Sequence, residues 1–244
     1  MGVAGRDGGD DAPAGTAVTM RAIDLFDTPV LPGLSCRDDF VTREEEATLI
    51  ARIDRQPLAP FRFQGWLGKR LTTSFGWHYD FDNHHVGETT PLPDWLLPIK
   101  RRAAAFAGLA DTGLVQALLI RYDPGAGIGW HRDRPQFEHV LGVSLGAPAT
   151  LRLRRRREGG FDRATIPLAP RSVYLLSAEA RHDWEHSIAP MDEPRWSITF
   201  RSLSDRGLMA LAPGEPLMSR DNLDSMSLPN IASGNLPGLD VLRP

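Results

Sequence analysis

Apolar residues recur along the chain at two periods, helical before about residue 110 and alternating after it. In VTREEEATLIARID (residues 41–54), Ala47, Leu49, Ile50 and Ile53 make a narrow apolar face. Thr42 and Glu45 stand at capping-box spacing just ahead of it, which predicts a helix. DWLLPIKRRAAAFAGL (94–109) predicts a second, with Asp94 as its cap and Pro98 tolerated in its first turn. Beyond it come short apolar or alternating stretches closed by Gly, Pro or Asp: VQALLIRY (115–122), HVLGVSLG (139–146), ATLRLR (149–154), SVYLLS (172–177) and RWSITFRSL (195–203). Helices followed by a run of strands define an α+β domain, in which the helices brace one face of a β-sandwich or jelly roll. Upstream, Trp66, Phe75, Trp77, Tyr79 and Phe81 are spaced as on strands, an arrangement that serves a core as readily as a stacking platform.

At 244 residues the chain is long enough to bury a proper core. Residues 1–18 hold few large apolar side chains and read as a disordered lead. Residues 19–203 read as the domain, and 204–244, with scattered Leu and Met, as an irregular tail. The single cysteine, Cys36, excludes an intrachain disulfide and any cysteine-based zinc cluster. No stretch has the length and apolarity of a membrane span, and the N-terminus lacks the basic start and apolar run of a secretory signal. A cytoplasmic monomer without membrane contact is expected.

The net charge of -3 rules out bulk charge as a reason to bind polyanions, so contact with nucleic acid needs a local basic patch. LRLRRRREGGFDR (151–163) supplies one, in Arg152 and Arg154 to Arg157. These arginines suit backbone phosphates. They equally suit an exposed hairpin on which they pair with Glu158 and Asp162.

The chemistry concentrates in WHRDRPQFEH (130–139) and in the segment after residue 180. Residues two apart on a strand point the same way, so His131 and Asp133 can converge on one ion. An H-x-D pair alone is a weak signal. A third ligand would complete the two-histidine, one-carboxylate set that leaves positions open on non-haem iron. His182 and His186 are the candidates. His186 is preferred because it begins a short strand-like run, whereas His182 beside Asp183 reads as a surface turn residue. In RWSITFR, Arg195, Thr199 and Arg201 share one side of a strand, with Trp196, Ile198 and Phe200 on the other. Two inward arginines are costly unless they meet a dianion, and a dicarboxylate is the natural partner. Thr199 can add a hydroxyl.

RYDPGAGIGWHRD, then a distal histidine, then R-x-S-x-T-x-R, resembles the AlkB-type family of Fe(II)- and 2-oxoglutarate-dependent dioxygenases across roughly Phe61 to Leu203. The resemblance implies a double-stranded β-helix, with iron(II) held by His131, Asp133 and His186. It implies 2-oxoglutarate held by Arg195, Arg201 and the phenol of Tyr122, with Arg201 expected to contribute most. KRLTTSFGWHYDF (69–81) is similar to the family's nucleotide-recognition lid, which makes Trp77 and Tyr79 candidates for stacking on a flipped base. Arg134 stands where it can reach a phosphate at the mouth of the site or brace the metal ligands. The family pattern carries Asn where this chain has Ile120 and Ser197, and an acidic base-reader in some members where it has Pro135. These departures imply a weaker or rearranged cosubstrate anchor and a looser choice of base.

The activity implied is oxidative dealkylation of alkylated bases in nucleic acid, a DNA-repair reaction coupled to decarboxylation of 2-oxoglutarate to succinate, with single strands preferred to duplex. The alternative within the same chemistry is hydroxylation of a tRNA modification, a protein side chain or a metabolite. A zinc hydrolase has no use for the arginine pair, and a silent binding module has none for the triad.

Overall fold

The computed structural model of the chain describes residues 31–63, 66–77, 79–80, 85–86 and 90–211. The lead over residues 1–18 and the tail from 212 onward lie outside the described residues. The tail's first residues do not run irregularly: Asp205–Leu211 form a helix, α4.

Two layers of antiparallel strands make the body. In chain order the strands are β1 (Leu34–Arg37), β2 (Ala59–Phe63), β3 (Trp66–Gly76), β4 (Tyr79–Asp80), β5 (His85–Val86), β6 (Gln116–Tyr122) and β7 (Ile128–His131). They continue as β8 (Phe137–Gly146), β9 (Ala149–Arg157), β10 (Gly160–Leu168), β11 (Val173–Leu176), β12 (Glu185–Ile188) and β13 (Arg195–Leu203). The larger sheet has the order β1-β11-β8-β13-β6-β3-β2, the smaller β10-β9-β12-β7, and β4 pairs with β5 in a short ribbon. This is the expected double-stranded β-helix, or jelly roll, with helices on one side.

Helix α1 (Arg43–Asp54) begins at the expected capping box, with Thr42 and Glu45 bonding each other's backbone. Helix α2 (Leu97–Phe106) follows a single 3-10 turn at Asp94–Leu96. Asp94 makes no side-chain cap, a departure from expectation, because the 3-10 turn sets the helix start at Leu96. Ala47 also departs: it is exposed, while Leu49 and Ile53 are buried with Ile50 packed beside them. Glu46 turns toward the sheet instead, where it accepts a hydrogen bond from the Gly146 backbone and meets Arg171.

The alternation on β13 decides what each layer contains. Ile198 and Phe200 join Ala117, Leu119, Leu141, Val143 and Leu145 in the core beneath the helices, with Trp196 against them. Arg195, Ser197, Thr199 and Arg201 therefore face the smaller sheet. The space between the sheets is apolar at one end, where Val140, Leu176, Leu151, Leu153, Ile166 and Ile188 pack together. At the other end it is polar, and there the chemistry-bearing residues gather.

Candidate metal centre

β7 and β12 are neighbours in the smaller sheet, and their register sets His131 opposite His186. The two rings lie 4.2 Å apart between centroids. Asp133 follows just after β7 and turns its carboxylate toward them, with Oδ2 3.5 Å from His186 Nε2. The ligand atoms of all three lie within 4.8 Å of one another. The glycine-rich turn makes this approach possible. A Cβ on Gly127 would stand 2.8 Å from both the Ile188 carbonyl oxygen and the Pro190 nitrogen, so the chain entering β7 tolerates no side chain there. His131 Nδ1 lies 2.8 Å from the Gly129 carbonyl. That bond places the proton on Nδ1 and leaves Nε2 its lone pair for a metal.

The electrostatics suit a cation. Burial pushes the His186 imidazole down to about 3, with His131 adding to the shift and Asp133 opposing it. Burial lowers His131 as well, so both rings are neutral ligands near pH 7. Burial alone would raise Asp133, but Arg201, then His186, His131 and Arg181, outweigh it and hold the carboxyl below the usual range. His182, the rejected alternative, is half-exposed and bonds Glu138 at 3.0 Å, away from the other three.

The arginine pair divides its work. Arg195 is 1% exposed and spends one nitrogen on the Ser144 hydroxyl, at 3.1 Å. Its Nε and Nη1 are buried without a hydrogen-bond partner, and its guanidinium lies 5.2 Å from the centre of the Tyr122 ring. A buried guanidinium left with two unmet donors fits one end of a dicarboxylate. Arg201 is already engaged: it bonds Asp133 Oδ1 through Nε and Nη2, and Gln116 through Nη1. This shifts the expected weight of the clamp from Arg201 to Arg195. Thr199 is buried on the same face and pairs across to Gly142.

Several contributors carried no motif. Ser144 and Gln116 take one arginine each. Tyr174 lies flat over Gly142, where a Cβ would fall 2.3 Å from its ring. Burial raises its phenol, with Tyr122 adding to the shift and Arg195 opposing it. Arg181, in helix α3 (Ala178–His182), is buried and donates to the carbonyls of Arg134 and Phe137, pinning the turn that carries Asp133. A glycine inside the central strand HVLGVSLG was the one available signal, since such glycines mark close approach.

The substrate candidates fare differently. Trp77 is buried and packs edge-on against Phe137, 5.6 Å between centroids, with Val115 and Leu203 around it. Phe137 in turn lies 5.2 Å from the Arg201 guanidinium. Trp77 thus supports the floor under Arg201 rather than standing on an open stacking face, because Gly76 (φ +79°) breaks the strand alternation just before it. Phe75 belongs to the core under the helices. The side chains of Tyr79 and Trp66, and all of Phe81, lie outside the described residues. Arg134 is half-buried, its carbonyl held by Arg181.

In the arginine cluster, Arg154 pairs with Glu185, Arg155 with Asp162 and Glu179, and Arg157 with Asp162. The expected pairing to Asp162 is present, and Glu179 and Glu185 take the place given to Glu158. Arg152 donates to the Ser187 hydroxyl and lies 5.2 Å from the Trp130 ring centre, and Arg156 stacks at 5.5 Å on Phe161.

Family comparison accords with this centre. A model of the 2OG-Fe(II) oxygenase superfamily matches residues 33–206, and the chain belongs to that superfamily. Its relatives place it with the AlkB type. It is 31% identical over 164 residues to tRNA (carboxymethyluridine(34)-5-O)-methyltransferase alkbh8 of Xenopus tropicalis, covering 65% of this chain and 25% of that protein. It is 29% identical over 193 residues to the alkylated DNA repair protein ALKBH8 homolog of Arabidopsis thaliana, covering 68% of this chain and 54% of that one. The chain thus spans a quarter to about half the length of these relatives. The solved structure of OsALKBH1 superposes with a TM-score of 0.57 at 15% identity, over 72% of this chain and 99% of that one, and shows the shared fold. Among the described residues, no helix is long and apolar enough to cross a membrane.

Proposed function

We propose that the protein removes small alkyl groups from bases in nucleic acid, single strands in preference to duplex. In this reading His131, Asp133 and His186 hold the iron. Arg195, with Tyr122 and Thr199, receives the far carboxylate of 2-oxoglutarate. When bound, iron(II) and 2-oxoglutarate would let O2 act as the oxidant: one oxygen atom would pass to succinate as 2-oxoglutarate loses CO2, and the other to the substrate carbon, converting C–H to C–OH. The chain does the rest. Arg201 fixes the orientation of Asp133, and Gly129 that of His131. The apolar packing between the sheets keeps bulk water out. Hydroxylation of an N-methyl group leaves an N–CH2OH that releases formaldehyde and restores the N–H of the base.

One observation carries the nucleic-acid part. The β7 strand that carries His131 on its inner face turns Trp130 outward, and there Arg132, Arg154, Arg155 and Arg156 line a cavity of about 390 Å3 with Phe161, Asp183 and Glu185. Arg154 lies 4.4 Å from the Trp130 ring and 4.6 Å from Phe161. Cations backed by aromatic rings suit phosphates and stacked bases. A single strand spares the few kcal/mol that flipping a base from a duplex costs, roughly in line with the general cost of unstacking. The Arabidopsis relative is described as an alkylated DNA repair protein, which supports the same reading. The frog relative's description favours a second, oxidation at a modified tRNA base.

The test incubates the protein with iron(II), ascorbate, 2-oxoglutarate and N-methylated oligonucleotides, and follows succinate and the loss of methyl mass. Loss of the methyl group, weakening as salt rises, is the expected result. Succinate formed with tRNA while every methylated oligonucleotide stays intact would overturn dealkylation and leave the second reading.

A further inference from the structure

Arg201 commits all three guanidinium nitrogens, and the third leads away from the metal ligands. Nε and Nη2 hold Asp133, while Nη1 donates to Gln116 Oε1 at 2.9 Å. Gln116 stands directly across the sheet from Arg201 and is 8% exposed. It shares one face of β6 with Ile120 and Tyr122, because Ala117 and Leu119 fill the core on the other. Its Nε2 donates in turn to the backbone carbonyl of Trp77, at 3.0 Å. Only one orientation of the amide serves both ends. A guanidinium can only donate and a carbonyl can only accept, so the amide oxygen meets Arg201 and the nitrogen meets Trp77.

β3 ends at Gly76, and the chain leaves the larger sheet at Trp77. Gly76 makes the turn at φ +79°, where a Cβ would fall 2.1 Å from the Val115 carbonyl oxygen. Between Trp77 and Thr90 lies the β4–β5 ribbon, which belongs to neither of the two layers. The root of this excursion is tied by Gly76 N–H donating to the Thr90 carbonyl at 2.7 Å and by Trp77 N–H donating to the Val115 carbonyl at 3.0 Å. The Trp77 carbonyl is tied by Gln116. Trp77 and Arg201 also meet through Phe137, which takes the indole edge-on and lies 5.2 Å from the guanidinium. A ring face tolerates rotation of the cation above it, whereas hydrogen bonds fix its plane.

We propose that Gln116 is a positioning residue that ties the root of the β4–β5 ribbon to the carboxylate that takes the metal. A guanidinium is rigid and planar, so Nη1 cannot shift without Nε and Nη2. With Oδ2 of Asp133 committed to a metal, Oδ1 fixes the plane of Arg201. Arg201 then fixes the Gln116 amide, and the amide fixes the Trp77 carbonyl. The tie acts equally in reverse, so whatever steadies the root of the ribbon favours the metal-binding geometry of Asp133. Glutamine suits the place because it accepts at one end and donates at the other. An ionised glutamate accepts but cannot donate, and leucine does neither. The inference rests on the reading of His131, Asp133 and His186 as metal ligands and is independent of the substrate.

The test pairs a manganese(II) titration, read by spin resonance, with hydrogen–deuterium exchange of the peptide that covers Gly76 and Trp77. In the wild-type protein, saturating manganese(II) should slow that exchange by about threefold or more, the scale of one net hydrogen bond. Gln116→Leu should lower manganese affinity by about tenfold, the lower end of what losing an orienting partner costs. It should also abolish the metal-dependent slowing, even at saturating metal. Gln116→Glu keeps an acceptor for Arg201 and offers no donor to Trp77. Its manganese affinity should stay nearer wild type than that of Gln116→Leu, while the slowing is still lost. Wild-type manganese affinity in Gln116→Leu overturns the inference, as does slowing that persists in Gln116→Glu or that is missing from the wild-type protein. If the wild-type protein takes up no manganese at all, the metal-centre reading fails and takes this inference with it.

Discussion

Arg201 grips one oxygen of Asp133 twice, through Nη2 at 2.7 Å and Nε at 2.9 Å, and leaves Oδ2 turned toward His186. The carboxylate is thereby divided between a cation that orients it and a position open to metal. Arg201 thus spends Nε and Nη2 on Asp133, one of the three residues that could hold a metal.

Replacing Arg201 with Ala should weaken metal binding even when 2-oxoglutarate is absent. Loss of an orienting partner of this kind costs about 10–100-fold in metal affinity. Arg201→Lys should recover little, because an ammonium lacks the fork that spans Nε and Nη2. Titration with manganese(II), read by its own spin resonance, checks this; wild-type affinity in Arg201→Ala would mean Asp133 is held by other groups.

Arg195 should behave in the opposite way. It touches Ser144 and Tyr122 rather than a ligand, so Arg195→Leu should leave metal affinity near wild type. Cosubstrate affinity should fall by about 2 kcal/mol or more, the usual cost of removing one partner of a buried charge pair. Calorimetry of 2-oxoglutarate with manganese(II) separates the two arginines. Equal losses in both variants would dissolve the division of labour.

The parts legible in the sequence were those with a period or a motif. The alternation in RWSITFRSL placed Arg195 and Arg201 on one face, and the capping box placed α1. His186 was chosen over His182 because it opens a strand, and that strand does pair with β7. What the sequence withheld depends on neighbours distant along the chain. Arg201 could not be assigned to Asp133, 68 residues away, by local spacing. The Ile120 and Ser197 departures look independent in sequence, yet the two residues face each other across β6 and β13, next to Ser144, whose hydroxyl meets Arg195. They form one altered patch. Trp77 is buried against Phe137 where Gly76 turns the chain out of strand alternation, a placement that strand spacing alone does not reveal.

Gly142→Ala offers a steric probe of the same wall. Its backbone is ordinary strand, so the damage would come from the methyl group meeting the buried Tyr174 ring. Overpacking of this kind costs about 1–3 kcal/mol. A lower denaturation midpoint, together with weaker 2-oxoglutarate binding as the Tyr174 hydroxyl is displaced, is expected. Gly142→Ala combined with Tyr174→Phe should restore neither fully, since the ring remains. Combined with Tyr174→Leu it should recover stability, and a double variant no more stable than Gly142→Ala alone would place the strain elsewhere.

The metal-free protein should lose stability as pH falls, and the triad sets where. His186 is held down to about 3 in the folded chain, against roughly 6.5 for an unperturbed histidine. Between those values the unfolded chain takes up a proton that the folded chain refuses, so stability declines as pH drops through that window and is flat above it. His131 is lowered too and acts in the same direction. Asp133, held below the usual carboxylate range, contributes stability above about pH 3.9 that is lost at lower pH, which deepens the decline at its acid end. Denaturant melts of chelator-treated protein from pH 7.5 to 4 should therefore show a falling midpoint, and His186→Gln should flatten it. Adding manganese(II) should raise the midpoint at pH 7 by mass action and less so at low pH, where protons compete for the same nitrogens. A slope unchanged by His186→Gln would mean that the buried histidine does not titrate on unfolding, and the neutral-ligand account of the metal centre would fall with it.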